Sequence, residues 1–237
     1  MRTETEVHLL NSPDGKWQAK LISQVCVQVG EESFIFYQLT LRQTGSDEER
    51  LILQDLGNCG LGAGDYSLTA WSPDSLWLYY NYRGIPDGDT SLTNPGTTIR
   101  LEAASGASTP LPNSGPVSPD QSQMAWTDGR DLVFYDLNSG EIQTYHDLLP
   151  ADLPTYLVWQ PEGAGIIFVQ TEQPTYPYGS STVGLITLDG MTVQVLHEGD
   201  DPALIALVGF EPGGILMGDD QGRSWFLSIP EGELTQR

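Results

Sequence analysis

The sequence predicts an all-β fold of five four-stranded antiparallel units, on three observations. First, a short proline turn recurs five times between apolar runs: Ser12-Pro13-Asp14-Gly15, Ser72-Pro73-Asp74, Ser118-Pro119-Asp120, Gln160-Pro161-Glu162-Gly163 and Glu211-Pro212-Gly213-Gly214. Second, each is answered downstream by a glycine turn, at Thr44-Gly45-Ser46, Ser105-Gly106, Asn138-Ser139-Gly140-Glu141, Asp189-Gly190 and Glu231-Gly232-Glu233. Third, the runs between turns have strand length and strand composition, as in Leu132-Val133-Phe134-Tyr135-Asp136-Leu137 and Val183-Gly184-Leu185-Ile186-Thr187-Leu188.

The elements follow in order. Proline presets φ for the second turn position, and Ser or Asp accepts hydrogen bonds from turn N–H groups. Proline also cannot sit in a central strand, so each one marks a strand's end. One unit therefore reads strand, proline turn, strand, loop, strand, glycine turn, strand. The turn prolines fall 60, 46, 42 and 51 residues apart, and a propeller blade takes about 40–50 residues. Blades are expected at about 6–56, 66–112, 115–146, 155–197 and 203–237 of a single domain spanning 1–237. A ring of five is the simplest closure, with part of a larger ring as the alternative. The best helical candidate is the stretch 145–153, which carries Pro150, so little or no helix is expected.

Composition bounds the function. The chain has 237 residues, 39% of them hydrophobic, enough for a sizeable core. Its formal net charge is −22, with 32 acidic residues against 10 basic ones. Nucleic-acid binding rests on neutralising phosphates with Lys and Arg, so this surface argues against DNA and RNA. No run approaches the roughly 20 apolar residues of a membrane helix, so membrane insertion is not expected. Residues 1–6 contain no apolar h-region, so no signal peptide is expected in this chain. Cys26 and Cys59 are too few for a disulfide framework or a structural zinc site. Two free thiols are the default reading, and one bridge in an oxidising compartment is the alternative.

Trp71-Ser72-Pro73-Asp74 followed by an apolar strand, and Leu132-Val133-Phe134-Tyr135-Asp136-Leu137-Asn138-Ser139-Gly140 further on, resemble the WD40-like PD40 repeat of TolB-type β-propellers. The strongest copies surround Pro13, Pro73 and Pro119. The last two depart, with Gln160 and Glu211 in place of Ser and Gly213 in place of Asp. The resemblance implies a propeller and, more weakly, an extracytoplasmic setting. It leaves function open, because the family includes scaffolds, receptors and domains attached to peptidases.

Alternating strand direction puts the proline and glycine turns at one end of each blade. Length variation falls at the other end, in 30–33, 57–65, 83–96, 147–154, 172–179 and 198–202. Loops held by a rigid scaffold carry function, so a binding site is sought there. Tyr82, Arg83, Tyr176 and Tyr178 are the candidate partner-binding residues, with Tyr80 beside them, because Tyr and Arg combine apolar area with hydrogen bonding. Asp87 and Asp89 join them and are the weak metal candidates, for Ca²⁺. The EF-hand pattern fails there: Leu92 stands at its Gly and Thr98 at its Glu. No other cofactor is expected. Gly60-Leu61-Gly62-Ala63-Gly64 precedes a strand, not a helix, which argues against a phosphate cradle.

No catalytic set is read. His8, His146 and His197 lie far apart, and no Gly-x-Ser-x-Gly elbow occurs. Glycosidases use a pair of carboxylates, and the inner strands, taken as 7–10, 67–71, 115–118, 156–159 and 204–210, contain no acidic residue. Trp71 and Trp159 end inner strands at equivalent positions, matched by Phe210, and the other tryptophans are expected in the core. The sequence thus points to a non-catalytic module that binds a protein partner through its long-loop end. A carbohydrate-binding or carbohydrate-cleaving propeller is the alternative.

Overall fold

The computed structural model describes residues 5–29, 32–58, 64–84, 96–172, 179–200 and 202–237, with the side chains of 25–29, 32, 33 and 58 left aside. These residues form 19 strands in five antiparallel sheets and no helix. The first sheet holds β1 (Thr5–Asn11), β2 (Trp17–Val29), β3 (Glu32–Gln43) and β4 (Glu49–Asn58). The second holds β5 (Gly64–Trp71), β6 (Trp77–Gly84), β7 (Thr97–Glu102) and β8 (Ser108–Pro110). β9 (Gln123–Asp128), β10 (Asp131–Asp136) and β11 (Ile142–Tyr145) make the third. The fourth is β12 (Thr155–Trp159), β13 (Gly165–Thr171), β14 (Ser181–Thr187) and β15 (Thr192–Gly199). The fifth is β16 (Leu204–Glu211), β17 (Gly214–Asp219), β18 (Ser224–Ser228) and β19 (Leu234–Gln236). Every sheet is a meander, with neighbours in space also neighbours in sequence.

The first three proline turns share one hydrogen-bond scheme. Ser12 Oγ donates to Asp14 Oδ1 at 2.7 Å and accepts from Trp17 N at 2.9 Å, while Lys16 N donates to the same carboxylate oxygen at 3.0 Å. Ser72 with Asp74 repeats this at 2.6, 3.0 and 3.0 Å. Ser118 with Asp120 repeats it at 2.6, 3.0 and 3.1 Å. The recurring Asp is turn chemistry. The residue after it is left-handed in each case: Gly15 at φ 70°, Ser75 at 65° and Gln121 at 59°. The fifth turn departs further than its sequence suggests. Glu211 pairs directly with Gly214, leaving Pro212-Gly213 as a two-residue loop.

Contacts divide the chain into two units, one built on the first and second sheets with the turn at 136–141, the other on the remaining three. The first unit's core packs Leu21, Leu39, Leu41, Trp71, Leu78 and Leu101. The second has two clusters, one around Leu132, Phe134, Trp159, Ile166 and Phe168, the other around Val169, Val183, Ile215, Met217 and Leu227. Each such side chain contributes about 1.5–3 kcal/mol on burial. In the first unit Trp71 Nε1 donates to Leu10 O on β1 at 3.2 Å. In the second Trp159 Nε1 donates to Pro116 O at 3.0 Å. The two bonds occupy equivalent places in their repeats, each joining one repeat to the repeat before it.

Several expectations are corrected. The third sheet has three strands, because its innermost segment is reduced to the single bridge Val117↔Met124. Pro116 and Pro119 flank that bridge and have no N–H to extend it. The inner strands are longer than read and are not free of acid: β1 includes Glu6, β5 includes Asp65 and β16 includes Glu211, since ladder pairing runs on past the apolar core of each strand. The stretch 145–153 is not helical, because its backbone bonds go elsewhere: Asp147 N donates to Asp131 Oδ1 at 2.9 Å and Leu149 N to Arg130 O at 2.9 Å. Of the four tryptophans assigned to the core besides Trp71 and Trp159, only Trp126 is buried. Trp17 and Trp225 are half-buried and pack against the core clusters of their units, whereas Trp77 is half-buried with Arg100 lying 3.6 Å above its ring.

Candidate functional site

In the first unit the end opposite the turns gathers the side chains that can do chemistry. Register sets them there. In the β5–β6 ladder Gly64 faces Gly84, Asp65 faces Arg83 and Tyr66 faces Tyr82. In the β3–β4 ladder Tyr37 faces Asp55. Packing of the two sheets brings the rings into a row: Tyr37 and Tyr66 lie edge to face at 5.2 Å, and Tyr66 and Tyr82 are tilted at 4.8 Å. Such pairs add about 0.5–1.5 kcal/mol beyond their burial.

Two carboxylates anchor the row. Tyr66 Oη donates to Asp55 Oδ2 at 2.9 Å, and Leu56 N donates to Asp55 Oδ1 at 2.8 Å. Tyr37 Oη donates to Gly64 O at 2.9 Å and to Asp65 Oδ1 at 3.3 Å. Burial, then the negative charge of Asp65, pushes the Tyr37 phenol up to about 12. Burial, then the hydrogen bond to Asp55, pushes Tyr66 up as well. Both therefore stay neutral donors at ordinary pH.

Tyr82 ends the row and is 37% exposed. Its ring lies over Gly64, where a Cβ would sit 2.5 Å from the phenolic oxygen. Gly64 is thus the seat of Tyr82, and a side chain there would displace that ring. Arg83 is half-buried, and its Nε is buried without an acceptor.

Of the residues singled out from sequence, Tyr82 and Arg83 stand together at this end. Tyr80 does not join them: it shares a face of β6 with Leu78 and Tyr82 but lies farther from the loop end, where it is only 5% exposed and belongs to the core. Asp87, Asp89, Tyr176 and Tyr178 lie outside the described residues, as do Cys59 and the side chain of Cys26. Asp219 is buried and accepts from Trp225 Nε1 at 2.8 Å, Arg223 N at 2.7 Å and Gln221 N at 3.0 Å. Tyr37, Asp55 and Tyr66 were not foreseen. Their meeting is non-local, and only the placement of Asp65 just ahead of an inner strand hinted at it.

The repeat grammar and the meander sheets define a class, the repeat β protein with propeller-type blades. No protein-family model matches the chain, and no curated protein matches it in sequence. Solved structures do. Dipeptidyl peptidase 4 of Porphyromonas gingivalis matches 98% of this chain and 46% of its own, at TM-score 0.52 and 9% identity. A eukaryotic initiation factor matches 100% of this chain and 66% of its own, at TM-score 0.50 and 9% identity. TolB from Acinetobacter baumannii matches 98% and 63%, at TM-score 0.47 and 12% identity. The chain thus spans under two thirds of TolB's length and under half of the peptidase's. It resembles TolB-type and other β-propeller proteins. At these identities the likeness is one of fold, and the functions these proteins' names suggest differ too much to indicate a common one.

Proposed function

We propose that the five sheets are blades of a β-propeller and that the chain is a non-catalytic binding module for a protein partner. The partner would meet the loop end of the first unit. The observation that carries this reading is the seating of Tyr82: a large ring held half-exposed over Gly64. Rigid aromatics are among the residues that dominate protein interfaces. A photo-crosslinking residue at Tyr82 should label a protein that the same residue at exposed Val195 does not. Tyr82→Ala should then weaken that complex at least about tenfold. Labelling from both positions alike would remove the reading.

The carbohydrate alternative keeps one specific support. Asp55 and Asp65 both lie at this end, against tyrosine rings that could stack on a sugar. Binding on a glycan array, or polysaccharide cleavage lost in Asp65→Asn, would favour it. Neither result is expected on the leading proposal.

A further inference from the structure

We propose that the group recognised at the Tyr82 row is a lysine or arginine side chain of the partner, an inference that rests on the protein-partner reading above. The argument starts from where the first unit keeps its own cations. Lys16 pairs with Asp14 at 3.0 Å and Lys20 with Glu49 at 3.3 Å. Arg42 donates to Gln18 Oε1 at 2.9 Å. Arg50 donates to the carbonyls of Ala103 and Ala104, and Arg100 to that of Asn138 while lying on Trp77. All five sit toward the turn end of their strands and are engaged there. Among the described residues of the first unit Arg83 is the one Lys or Arg at the loop end, where it faces Asp65 across the β5–β6 ladder.

The carboxylates at that end are differently placed. Neither Asp55 nor Asp65 forms an ion pair among the described residues; their partners are tyrosine hydroxyls and one backbone N–H. An ionised carboxylate offers about four acceptor sites, so each keeps capacity to receive further donors. Beside them run the three rings, of which Tyr82 is the most open. Aromatic faces attract ammonium and guanidinium groups through their quadrupole. Phenols that donate to carboxylates are the more electron-rich for it. An apolar side chain would cover the rings but displace water from both carboxylates while adding no donor to them, and an acidic one would be repelled by them. A basic side chain satisfies both features. The formal charge of −22 adds long-range attraction for such a partner, and the local arrangement selects where it docks.

The test uses the intact chain and a fluorescent Gly-Ser peptide carrying three lysines, with versions carrying three norleucines or three glutamates. The lysine peptide should bind, with the other two at least about tenfold weaker. Tyr82→Leu, Asp55→Asn and Asp65→Asn should each weaken the lysine peptide at least about tenfold, while Asp189→Asn, an exposed change on the fourth sheet, should leave it within about twofold. Asp65→Asn guards against a folding artefact, since Asp65 is exposed whereas Asp55 is partly enclosed. Equal loss in Asp189→Asn would mean attraction by the overall field only and would overturn the proposal. So would equal binding of the norleucine peptide. If the photo-crosslinked partner depends on Tyr82 but the lysine peptide does not, the basic-group inference falls and the partner reading stands. If neither depends on Tyr82, both fall.

Discussion

Ser75 and Gln121 occupy the same left-handed corner of the same turn, with φ of 65° and 59°, yet they are not equivalent. A left-handed corner costs an L residue about 1–2 kcal/mol that glycine does not spend. Gln121 is exposed and has nothing to offset that cost, so Gln121→Gly should raise stability by about 0.5–1 kcal/mol in urea titration. Ser75 is buried and its Oγ accepts from Asp14 N at 3.0 Å, tying the first proline turn to the second. Ser75→Gly should therefore show no gain, because the freed backbone is offset by a lost bond of about 1 kcal/mol. Equal gains at both sites would show that the bridging bond contributes nothing. The same scale explains Gly64, where the constraint is space and not φ: any side chain there must displace the Tyr82 ring.

Among the strands, the innermost ones combine two roles. They pair on one edge only, and in β5 and β12 the last residue reaches across to the preceding repeat. Trp71 is almost wholly enclosed, and Trp159 nearly so, and each spends its one donor on a carbonyl of the sheet before it. Trp71→Phe and Trp159→Phe keep most of the packing and lose that bond. Each should cost about 0.5–1.5 kcal/mol, since Pro116 O keeps its bond from Ala125 N, and the size should be similar at both sites. A loss at one site alone would show that the equivalence is geometric but not energetic. Phe210, the counterpart in the fifth sheet, has no such donor, and its strand carries register shifts between Leu204 and Ala206 and between Leu207 and Gly209. Here the sequence was legible in one respect and opaque in another. Proline and glycine turns are local chemistry, so strand order followed from them directly. The loss of the third sheet's inner strand is also local, but it depends on Pro116 and Pro119 flanking one short segment, a finer detail than the repeat. The tyrosine row was opaque because Tyr37 and Tyr66 belong to different sheets, and no spacing along the chain reports their contact.

For the molecule as a whole, stability against pH has two edges. Hydrogen bonds from Ser118 and Ser122 hold the Asp120 carboxyl below its usual range, and the backbone of Ser139 does the same for Asp136. Burial works to raise Asp219, but bonds from Trp225 and Arg223 outweigh it. A carboxylate lowered in the folded state stabilises above its unfolded pKa, roughly 4, and loses that contribution as the pH falls through the folded value. Tyr37 works at the other edge. Its phenol keeps its proton up to about 12 in the folded state, whereas the unfolded chain loses it near pH ~10. Stability should accordingly fall below pH about 4 and again above about 10, and Tyr37→Phe should soften the alkaline fall. Urea midpoints measured across that range decide the matter; an unchanged alkaline limb in Tyr37→Phe would show that Tyr37 does not set it.

The reach of Trp71 to Leu10 and of Trp159 to Pro116 has a consequence for how such a chain can arise and be cut. The repeat that a copying event would duplicate is bounded by its turns, but the bond that secures it is made with the copy before. A lone copy has a donor with no acceptor, and two copies in tandem are the smallest set that closes one such bond. Growth by duplication is therefore rewarded at the junctions. The natural places to divide or circularly permute this protein are the connections at the loop end of a pair, leaving each tryptophan with its upstream neighbour.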